Sequence, residues 1–431
     1  MLGDDFEMET SVILSANNIL KLIALVILAG VVFGKISRKV NLPDVVLFIV
    51  AGGVILGPEV LNLINIDSYP VGNQLILTFG GAAYILYDGG REIDLKVFNE
   101  VKVSVLLLST LGVFISTGIT GFFVYKIFNI DFIYALLLGA IISSTDPSVL
   151  VPLFKNMNVS NKLKQTIISE SAFNDAAAAI VTFAILGVIA GGEFSLGKSV
   201  FELLKSSLGG ILIGGIFGYI STKLISGEKY AFLKEFPSEV SIVAVIGTYL
   251  IADKIGVSGF MAVFIIGMVC GNKKRINCSI PDEYNQTHLR FKEVLTIILR
   301  MMIFVLLGSH IDFGVLSKYF TKDLMVVALL IFVSRPVSAF LSVIFDRKAK
   351  WNIKEIIYLM WVRETGVIPA ALVGMLLTMH IQNSDIIASV TFTTIIITLT
   401  FQASTSKSLA RLLKLDVGES KKETAVDSVK I

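Results

Sequence analysis

Long apolar runs separated by short polar or charged segments fill almost the whole chain. A helix of about 20 apolar residues crosses the hydrocarbon core of a bilayer, and all but two of the runs approach or exceed that length. The pattern predicts an all-α polytopic membrane protein with thirteen transmembrane helices. The runs fall near residues 15–36, 43–57, 71–88, 101–128, 131–155, 161–189, 197–226, 235–252, 256–271, 290–308, 323–345, 351–380 and 384–412.

The composition supports this assignment. Of 431 residues, 54% are hydrophobic and 16% are charged, whereas about a quarter of the residues of a soluble domain are charged. The acidic start of the chain lacks the basic region of a signal peptide, so we expect the first run to be a retained helix. The two cysteines have no disulfide or metal-binding spacing. We expect no cofactor, no attached soluble domain and no nucleic-acid partner, with the lipid bilayer as the surroundings.

Lysine and arginine are unevenly distributed between the two predicted membrane faces. With the N-terminus outside, 27 of the 37 basic residues lie in predicted cytoplasmic loops and the tail, seven lie outside, and Arg300, Arg335 and Arg363 fall within segments. Cytoplasmic loops carry the excess of basic residues in membrane proteins, and an even number of segments would scramble this asymmetry. The sequence therefore predicts a multi-pass protein of the cell (inner or plasma) membrane with an external N-terminus and a cytoplasmic C-terminus.

Segments 5 and 12 carry proline-containing interruptions. Proline removes a backbone donor and disfavours the helical conformation of the residue before it. One such proline could be an ordinary kink, but two, seven segments apart, indicate an inverted repeat of the kind found in transporters. Segments 1–6 and 8–13 would be the repeats, joined by segment 7. The interrupted stretches are Ser143-Ser144-Thr145-Asp146-Pro147 and Arg363-Glu364-Thr365-Gly366-Val367-Ile368-Pro369.

Segment 6 carries four polar residues on two neighbouring helical stripes, Glu170 with Asn174 and Ser171 with Asp175. Two unpaired carboxylates facing lipid would cost several kcal/mol, so we expect this face to point toward segment 5. A buried arginine needs a carboxylate partner, and we pair Arg335 with Glu170 as a structural clamp. That pairing leaves the aspartates of segments 5 and 6 as the free acids.

The polar groups of these segments offer oxygen ligands, which suit hard cations. The predicted ligands are Asp146, Asp175, Thr145 and Ser171. Asp88, at the end of segment 3, is either a cap at the cytoplasmic edge or a further site acid reaching toward Thr145. Histidine and cysteine are absent from the site, which argues against a transition metal, and the carboxylate-rich cage of a calcium site is missing.

A carboxylate buried away from water holds a proton more tightly, and a cation bound at the same place displaces that proton. If the site crosses the membrane with either ion but not when empty and charged, exchange is obligatory. The residues therefore predict a secondary antiporter of a hard cation and a proton, and not an enzyme.

These motifs resemble those of the NhaP-type sodium/proton antiporters of the monovalent cation:proton antiporter superfamily. The resemblance covers the full length, through the thirteen-segment layout and four motifs that are weak alone and specific together. The motifs are Thr145-Asp146-Pro147, Glu170-Ser171-x-x-Asn174-Asp175, Ser334-Arg335-Pro336 and Gly366-Val367-Ile368-Pro369.

The resemblance implies a homodimer in which a core domain carries the ion, like an elevator, against a dimerisation domain. It implies residues 1–100 and 231–310 for the dimerisation domain, 101–190 and 311–414 for the core, 191–230 for a linker helix and 415–431 for a cytoplasmic tail. The adjacent Asn-Asp pair resembles the electroneutral branch, which exchanges one cation for one proton. The implied roles are ion and proton carrier for Asp175, ligands for Thr145, Asp146 and Ser171, an ion pair for Glu170 and Arg335, and site organiser for Asn174.

Sodium, together with lithium, is the predicted cation, and pH homeostasis is the predicted purpose. Potassium is the alternative, because oxygen ligands alone carry no information about size. An intramembrane aspartyl protease would also use two membrane aspartates, but neither Asp146 nor Asp175 lies in the Gly-x-Gly-Asp motif of those enzymes. A channel is disfavoured as well, since a single buried site saturates at carrier rates.

Overall fold

The computed structural model describes residues 2–40, 44–57, 70–146, 154, 157–191, 196–226, 232–276 and 278–416. Within these ranges every regular element is helical, and we number the helices in chain order. They are α1 (Leu2–Val40), α2 (Asp44–Leu56), α3 (70–91), α4 (Leu95–Phe128), α5 (Phe132–Ile141), α6 (Asn161–Ile189), α7 (Leu196–Ile225), α8 (Pro237–Ile255), α9 (Gly259–Gly271), α10 (Asp282–Ser309), α11 (Phe313–Val343), α12 (Ile353–Trp361), α13 (Val367–Thr378) and α14 (Ser384–Leu412).

The predicted all-helical membrane fold is confirmed in the described part of the chain. Six helices are long and apolar enough to cross a membrane, and four shorter helices are also apolar. Helix α4, which the sequence predicts as one long element, is interrupted only at Thr110. The count of thirteen spans and the inverted repeat stay predictions.

Polar side chains fix where several helices begin. Ser160, Ser258, Asp312 and Asn352 each accept a backbone N–H from the first turn of α6, α9, α11 and α12, respectively. The first four N–H groups of a helix have no intrahelical partner, so such caps stabilise the helix start by about 1 kcal/mol each. Glu355 completes a capping box on α12 by accepting the Asn352 N–H at 3.0 Å.

Helices α3 and α9 approach each other through glycine. A Cβ atom at Gly90 would lie 2.2 Å from the Phe264 carbonyl oxygen, and one at Gly267 would lie 2.0 Å from the Tyr87 carbonyl oxygen. Each helix therefore needs a residue without a side chain at the contact, as in other closely packed membrane helices. This contact fixes the end of α3 that carries Asp88.

A π-helical turn that ends at Ser334 interrupts α11 directly before Arg335. Pro336 follows, and the altered turn accommodates a residue that lacks the N–H group of a regular helix. The Ser334 hydroxyl lies 3.1 Å from both Ser116 Oγ and Thr120 Oγ1 on α4. These contacts hold Arg335 at a fixed depth inside the protein.

The interrupted segments lie among helices rather than at the protein surface. Helix α4 packs on α5, α6 and α11, and α11 packs in turn on α12 and α14. Helices α1, α2 and α10 pack together, and α9 lies among α3, α7 and α8. Helix α13 contacts members of both sets, namely α5, α6 and α14 on one side and α3 and α10 on the other.

Candidate cation-binding site

The second interruption comprises the five residues between α12, which ends at Trp361, and α13, which begins at Val367. The sequence placed this interruption as far as Pro369, but Pro369 lies in the first turn of α13. A proline is tolerated there because first-turn N–H groups have no intrahelical partner. Pro369 thus helps to start a helix instead of kinking one.

The first interruption follows the end of α5 at Ile141, and residues 142–146 are non-helical. Pro147, to which the sequence assigns this break, lies outside the described residues. The two interruptions meet at Asp146, whose backbone N–H donates to the Glu364 carbonyl oxygen at 2.8 Å. The broken segments are therefore joined by a direct backbone hydrogen bond.

The Asp146 side chain lies at the N-terminus of α13. The Val367 N–H, the first of that helix, donates to Asp146 Oδ2 at 3.2 Å. A helix N-terminus carries a partial positive charge of about half an electron, which stabilises a carboxylate there. A Cβ at Gly366 would lie only 2.0 Å from the same oxygen, so this position must be glycine for Asp146 to reach the helix end.

Thr145 is held by a closed set of hydrogen bonds from α6. Asn174 Oδ1 accepts the Thr145 N–H at 3.2 Å, and Asn174 Nδ2 donates to Thr145 Oγ1 at 2.9 Å. Ser171 Oγ donates to the Thr145 carbonyl at 2.5 Å and lies 3.0 Å from Thr145 Oγ1. An ionised carboxylate could accept but not donate here, whereas an amide does both, which accounts for Asn rather than Asp at position 174.

Asp175 is partly buried and accepts a short hydrogen bond from the Ser144 hydroxyl. It also lies close enough to Asp146 for the two carboxyl groups to interact electrostatically. The structure thus brings Thr145, Asp146, Ser171 and Asp175 together, along with Ser144. Asn174 connects α6 to this group.

The stripe pattern predicted that Glu170 faces segment 5, and this prediction was wrong: Glu170 faces α11. Its carboxylate forms a bidentate pair with the Arg335 guanidinium, and both residues are at most 4% exposed. Arg335 also donates to the carbonyl oxygens of Leu359 (2.8 Å) and Val362 (3.4 Å) at the end of α12. The last carbonyls of a helix have no intrahelical partner, so Arg335 caps the broken helix while Glu170 balances its charge.

Arg363 performs the same capping on the other broken segment. Its guanidinium donates a short hydrogen bond to the Ile142 carbonyl, just after α5. Arg363 is 2% exposed, and within the described ranges no carboxylate lies within ion-pair distance of it. Each interrupted helix therefore ends on a buried arginine, but among the described residues only Arg335 has an acidic partner.

Glu364 differs from the other acids of the site. Its carbonyl receives the Asp146 N–H, yet neither carboxyl oxygen has a hydrogen-bond partner in another described residue. The side chain is nevertheless almost fully buried. The next residue, Thr365, is held through its N–H by Thr398 Oγ1 on α14 at 3.0 Å.

Asp88 is engaged by α10. One carboxylate oxygen lies 2.7 Å from Lys292 Nζ, and the other accepts from Thr296 Oγ1 at 3.1 Å. The neighbouring Gly89 lies against Ala172 of α6, so the backbone of α3 runs beside the site while this carboxylate turns away from it. A ligand role for Asp88 stays a prediction.

Comparison with known proteins supplies the family. Residues 22–412 match the family model of the transmembrane sodium/hydrogen exchangers. The chain belongs to this family. Na(+)/H(+) antiporter 1 of Methanocaldococcus jannaschii is 29% identical over 427 residues, which cover 93% of this chain and 96% of that protein. The K(+)/H(+) antiporter NhaP2 of Shewanella oneidensis is 25% identical over 94% of this chain and 68% of its own length.

The fold of this chain is also that of a solved antiporter structure. The solved structure of the sodium proton antiporter MjNhaP1 from Methanocaldococcus jannaschii at pH 8 superposes with a TM-score of 0.80 at 28% identity. The match covers 93% of this chain and 99% of that one. This membership gives a transporter family rather than a class of enzymes.

Several residues of the exchanger's site were not singled out from the sequence. Ser144 lies beside Thr145 in the first interruption. The sequence does not show that its buried hydroxyl donates to Asp175 on α6. The bond from Arg363 to Ile142 joins residues 221 positions apart, and no local pattern indicates it. Gln402 of α14, which donates to the Trp361 carbonyl at 2.7 Å, was likewise hidden in an apolar run.

Proposed function

We propose that the protein is a secondary active antiporter that exchanges sodium, and also lithium, for protons at the site formed by Asp175 and Asp146. The observation that supports the proposal is the meeting of the two interruptions at Asp146, which bonds to backbone groups of the second interruption and lies near Asp175. Irregular backbone at membrane depth is tolerated only within protein or beside water. Transporters use such breaks to bind ions.

The oxygen atoms around Asp175 suit a hard monovalent cation. A hydroxyl keeps lone pairs while it donates, so Ser171 can bind a cation through Oγ and still donate to the Thr145 carbonyl. That carbonyl has a second lone pair of its own. The Ser144 hydroxyl donates to an Asp175 oxygen in this structure. A bound cation would take that oxygen, and Ser144 would then release it or contribute its own hydroxyl oxygen as a ligand.

The chemistry of exchange follows from the burial of the acids. A buried carboxylate without a counter-charge is costly, and a proton or a cation removes that cost. The loaded carrier can therefore cross the membrane with either ion, while the empty charged carrier cannot. Glu170 and Arg335 cancel each other and stay outside this competition.

We further propose a homodimer in the cell membrane, with the N-terminus outside, that works by an elevator mechanism. Residues 101–190 and 311–414 would carry the site, residues 1–100 and 231–310 would form the subunit contact, and 191–230 would link them. Exchange of one cation for one proton would be electroneutral. The packing of α4, α5 and α6 against one another and of α11 on α4 supports a carrier unit of this composition.

The test is transport by purified protein in proteoliposomes that contain a pH-sensitive dye. A sodium gradient is expected to drive a pH change with the wild type, and Asp175→Asn is expected to abolish it. Asp253→Asn is a matched control, because Asp253 is exposed at the end of α8. No sodium-driven pH change in the wild type, or full activity of Asp175→Asn, would contradict the proposal.

Potassium/proton exchange is the second candidate, favoured by the similarity to a K(+)/H(+) antiporter. Sodium, lithium and potassium gradients in the same liposomes separate the two candidates. A pH change with potassium but not with sodium would favour this candidate.

A separate measurement tests the proposed electroneutral exchange. With the membrane potential set by valinomycin, transport that responds to the potential would reject electroneutral exchange, although the protein would still be an antiporter.

A further inference from the structure

Helix α14 packs against the second interruption and presents two polar side chains to it. Thr398 and Gln402 lie one turn apart on this helix, and both are fully buried. Thr398 Oγ1 accepts the Thr365 N–H at 3.0 Å, and Gln402 Nε2 donates to the Trp361 carbonyl at 2.7 Å. Backbone groups at the end of a helix lack partners within that helix. Helix α14 therefore satisfies one backbone group on each side of residues 362–364.

The same two residues bound a π-helical turn of α14, from Thr398 to Gln402. Such turns are rare within α-helices and are often found at functional sites. Helix α11 has a π-helical turn of its own directly before Arg335, whose guanidinium bonds to the last carbonyls of α12. Both helices that hold the second interruption therefore depart from regular α-helical geometry beside it.

The hydrogen bond from Thr398 reaches Asp146 through a single peptide group. The Glu364 carbonyl and the Thr365 N–H belong to one planar trans peptide unit, and they point in opposite directions. Thr398 holds the N–H on one side, and the Asp146 N–H donates to the carbonyl on the other side at 2.8 Å. Because the peptide unit is rigid, a hydroxyl that fixes the N–H also fixes the direction of the carbonyl.

The hydroxyl of Thr398 is suited to this task. It donates to the Ile395 carbonyl of its own helix at 3.4 Å, and its oxygen remains available to accept the Thr365 N–H. A hydroxyl can donate and accept at the same time. Valine has nearly the same shape as threonine but cannot accept a hydrogen bond, so it would leave the peptide unit free to turn.

We propose that Thr398 and Gln402 are positioning residues of the cation site, and that they hold Asp146 in place through the backbone of the second interruption. The proposal rests on the proposed function, because Asp146 is a cation ligand only if the protein exchanges cations at this site. Neither of the two residues would touch the cation. Removing a group that orients a metal ligand typically lowers metal affinity by about 10- to 100-fold. Asp146 keeps its bond from Val367 in either variant, so we expect the lower end of this range.

The test is the apparent KM for sodium in the proteoliposome assay described above. Thr398→Val removes the acceptor and should raise the KM about tenfold, with a smaller change in the maximal rate per folded protein. Thr398→Ser keeps the hydroxyl and should bring the KM back close to the wild-type value. Thr400→Val makes the same change two residues away and should leave the KM unchanged. Among the described residues, the Thr400 hydroxyl bonds only to carbonyls of its own helix.

Gln402→Met tests the second contact. It keeps a long unbranched side chain and removes the donor to the Trp361 carbonyl, which lies three residues before the peptide group that holds Asp146. The KM for sodium should therefore rise, but by less than in Thr398→Val. This variant decides the question if Thr398→Val fails to fold.

The outcomes separate positioning from a structural role. A structural role would lower the melting temperature and the yield of folded protein but leave the KM of the folded fraction unchanged. A wild-type KM in Thr398→Val and Gln402→Met would thus overturn the proposal, as would an equal rise in Thr398→Val and Thr398→Ser. If the wild type showed no sodium-driven exchange, the proposed function would fail, and the positioning role with it. If the wild type exchanged sodium and the variants kept its KM, only the positioning role would fail.

Discussion

The two helix interruptions share a plan and differ in how completely their charges are balanced. Each ends a helix whose last carbonyls are capped by a buried arginine, Arg363 for α5 and Arg335 for α12. Arg335 has a bidentate carboxylate partner, whereas Arg363 has none among the described residues. At the first interruption Thr145 is hydrogen-bonded through every polar group, while Glu364 at the second has none through its carboxyl.

This difference indicates a division of labour. The first interruption contributes side chains that α6 orients, and these are the oxygen ligands of the proposed cation site. The second contributes backbone groups. The Glu364 carbonyl accepts the Asp146 N–H, and the Val367 N–H at the start of α13 donates to the Asp146 carboxylate. An acid from one segment is thus positioned by the helix start of the other. Changes at the second interruption should act mainly through Asp146 and the helix ends.

Arg335→Met should produce the largest effect, because it removes the balanced arginine. Glu170 would be left as a buried carboxylate without its partner, and the α12 carbonyls would lose their cap. Breaking one side of a buried ion pair costs about 3–5 kcal/mol. We expect a large loss of thermal stability and of folded yield, measured by fluorescence-detected gel filtration after heating.

Two further variants sharpen this result. Arg335→Lys keeps the charge but loses the bidentate geometry, so it should recover only part of the stability. The double variant Glu170→Met with Arg335→Met should be less destabilised than the two single effects added together, because no unpaired charge remains. Strict additivity would show that the pair does not act as a unit.

Arg363→Met tests the unbalanced arginine. It removes a charged hydrogen bond to the Ile142 carbonyl but strands no carboxylate, so the expected cost is smaller, about 1.5–3 kcal/mol. The same heating assay measures it beside Arg335→Met. A loss equal to that of Arg335→Met would mean that Arg363 has an acidic partner in the conformations the protein visits, and would remove the asymmetry between the two interruptions.

The parts of the site that the sequence predicted follow from helical spacing or from the cost of an unpaired charge in the membrane. Helical spacing gives the polar stripes of α6, except that Glu170 faces α11 and not segment 5, and the cost of an unpaired charge gives the pairing of Glu170 with Arg335. The contacts of Arg363 and Thr398 were not predictable, because each depends on how separate segments cross. Pro369 was misread, since a proline pattern cannot distinguish a kink from the first turn of a new helix.

Gly366→Ala tests whether the second interruption acts through Asp146. The added methyl group would overlap the Asp146 carboxyl and force it from the N-terminus of α13. We expect roughly a tenfold loss of sodium-driven exchange per folded protein, equivalent to about 1.4 kcal/mol. Some stability should be lost as well, because the added atom would lie 2.2 Å from the Asp146 Cβ, which cannot move away without shifting its backbone. Gly187→Ala on α6 is the control, because a Cβ there meets nothing within 4 Å. Equal rates for the two variants would argue against close contact between Gly366 and Asp146.

Glu364→Gln should have the smallest effect of the four. An amide of nearly the same shape replaces a carboxyl that makes no hydrogen bond to another described residue, and the backbone carbonyl that holds Asp146 is unchanged. The expected change in stability is below about 1 kcal/mol, because the carboxyl and the amide would both be buried without a hydrogen-bond partner in another described residue, so no hydrogen bond is lost. Glu170→Gln provides the contrast, because the same chemical change there weakens a buried ion pair. If heating destabilised both variants equally, the Glu364 carboxyl would have a partner of its own, as Glu170 has in Arg335.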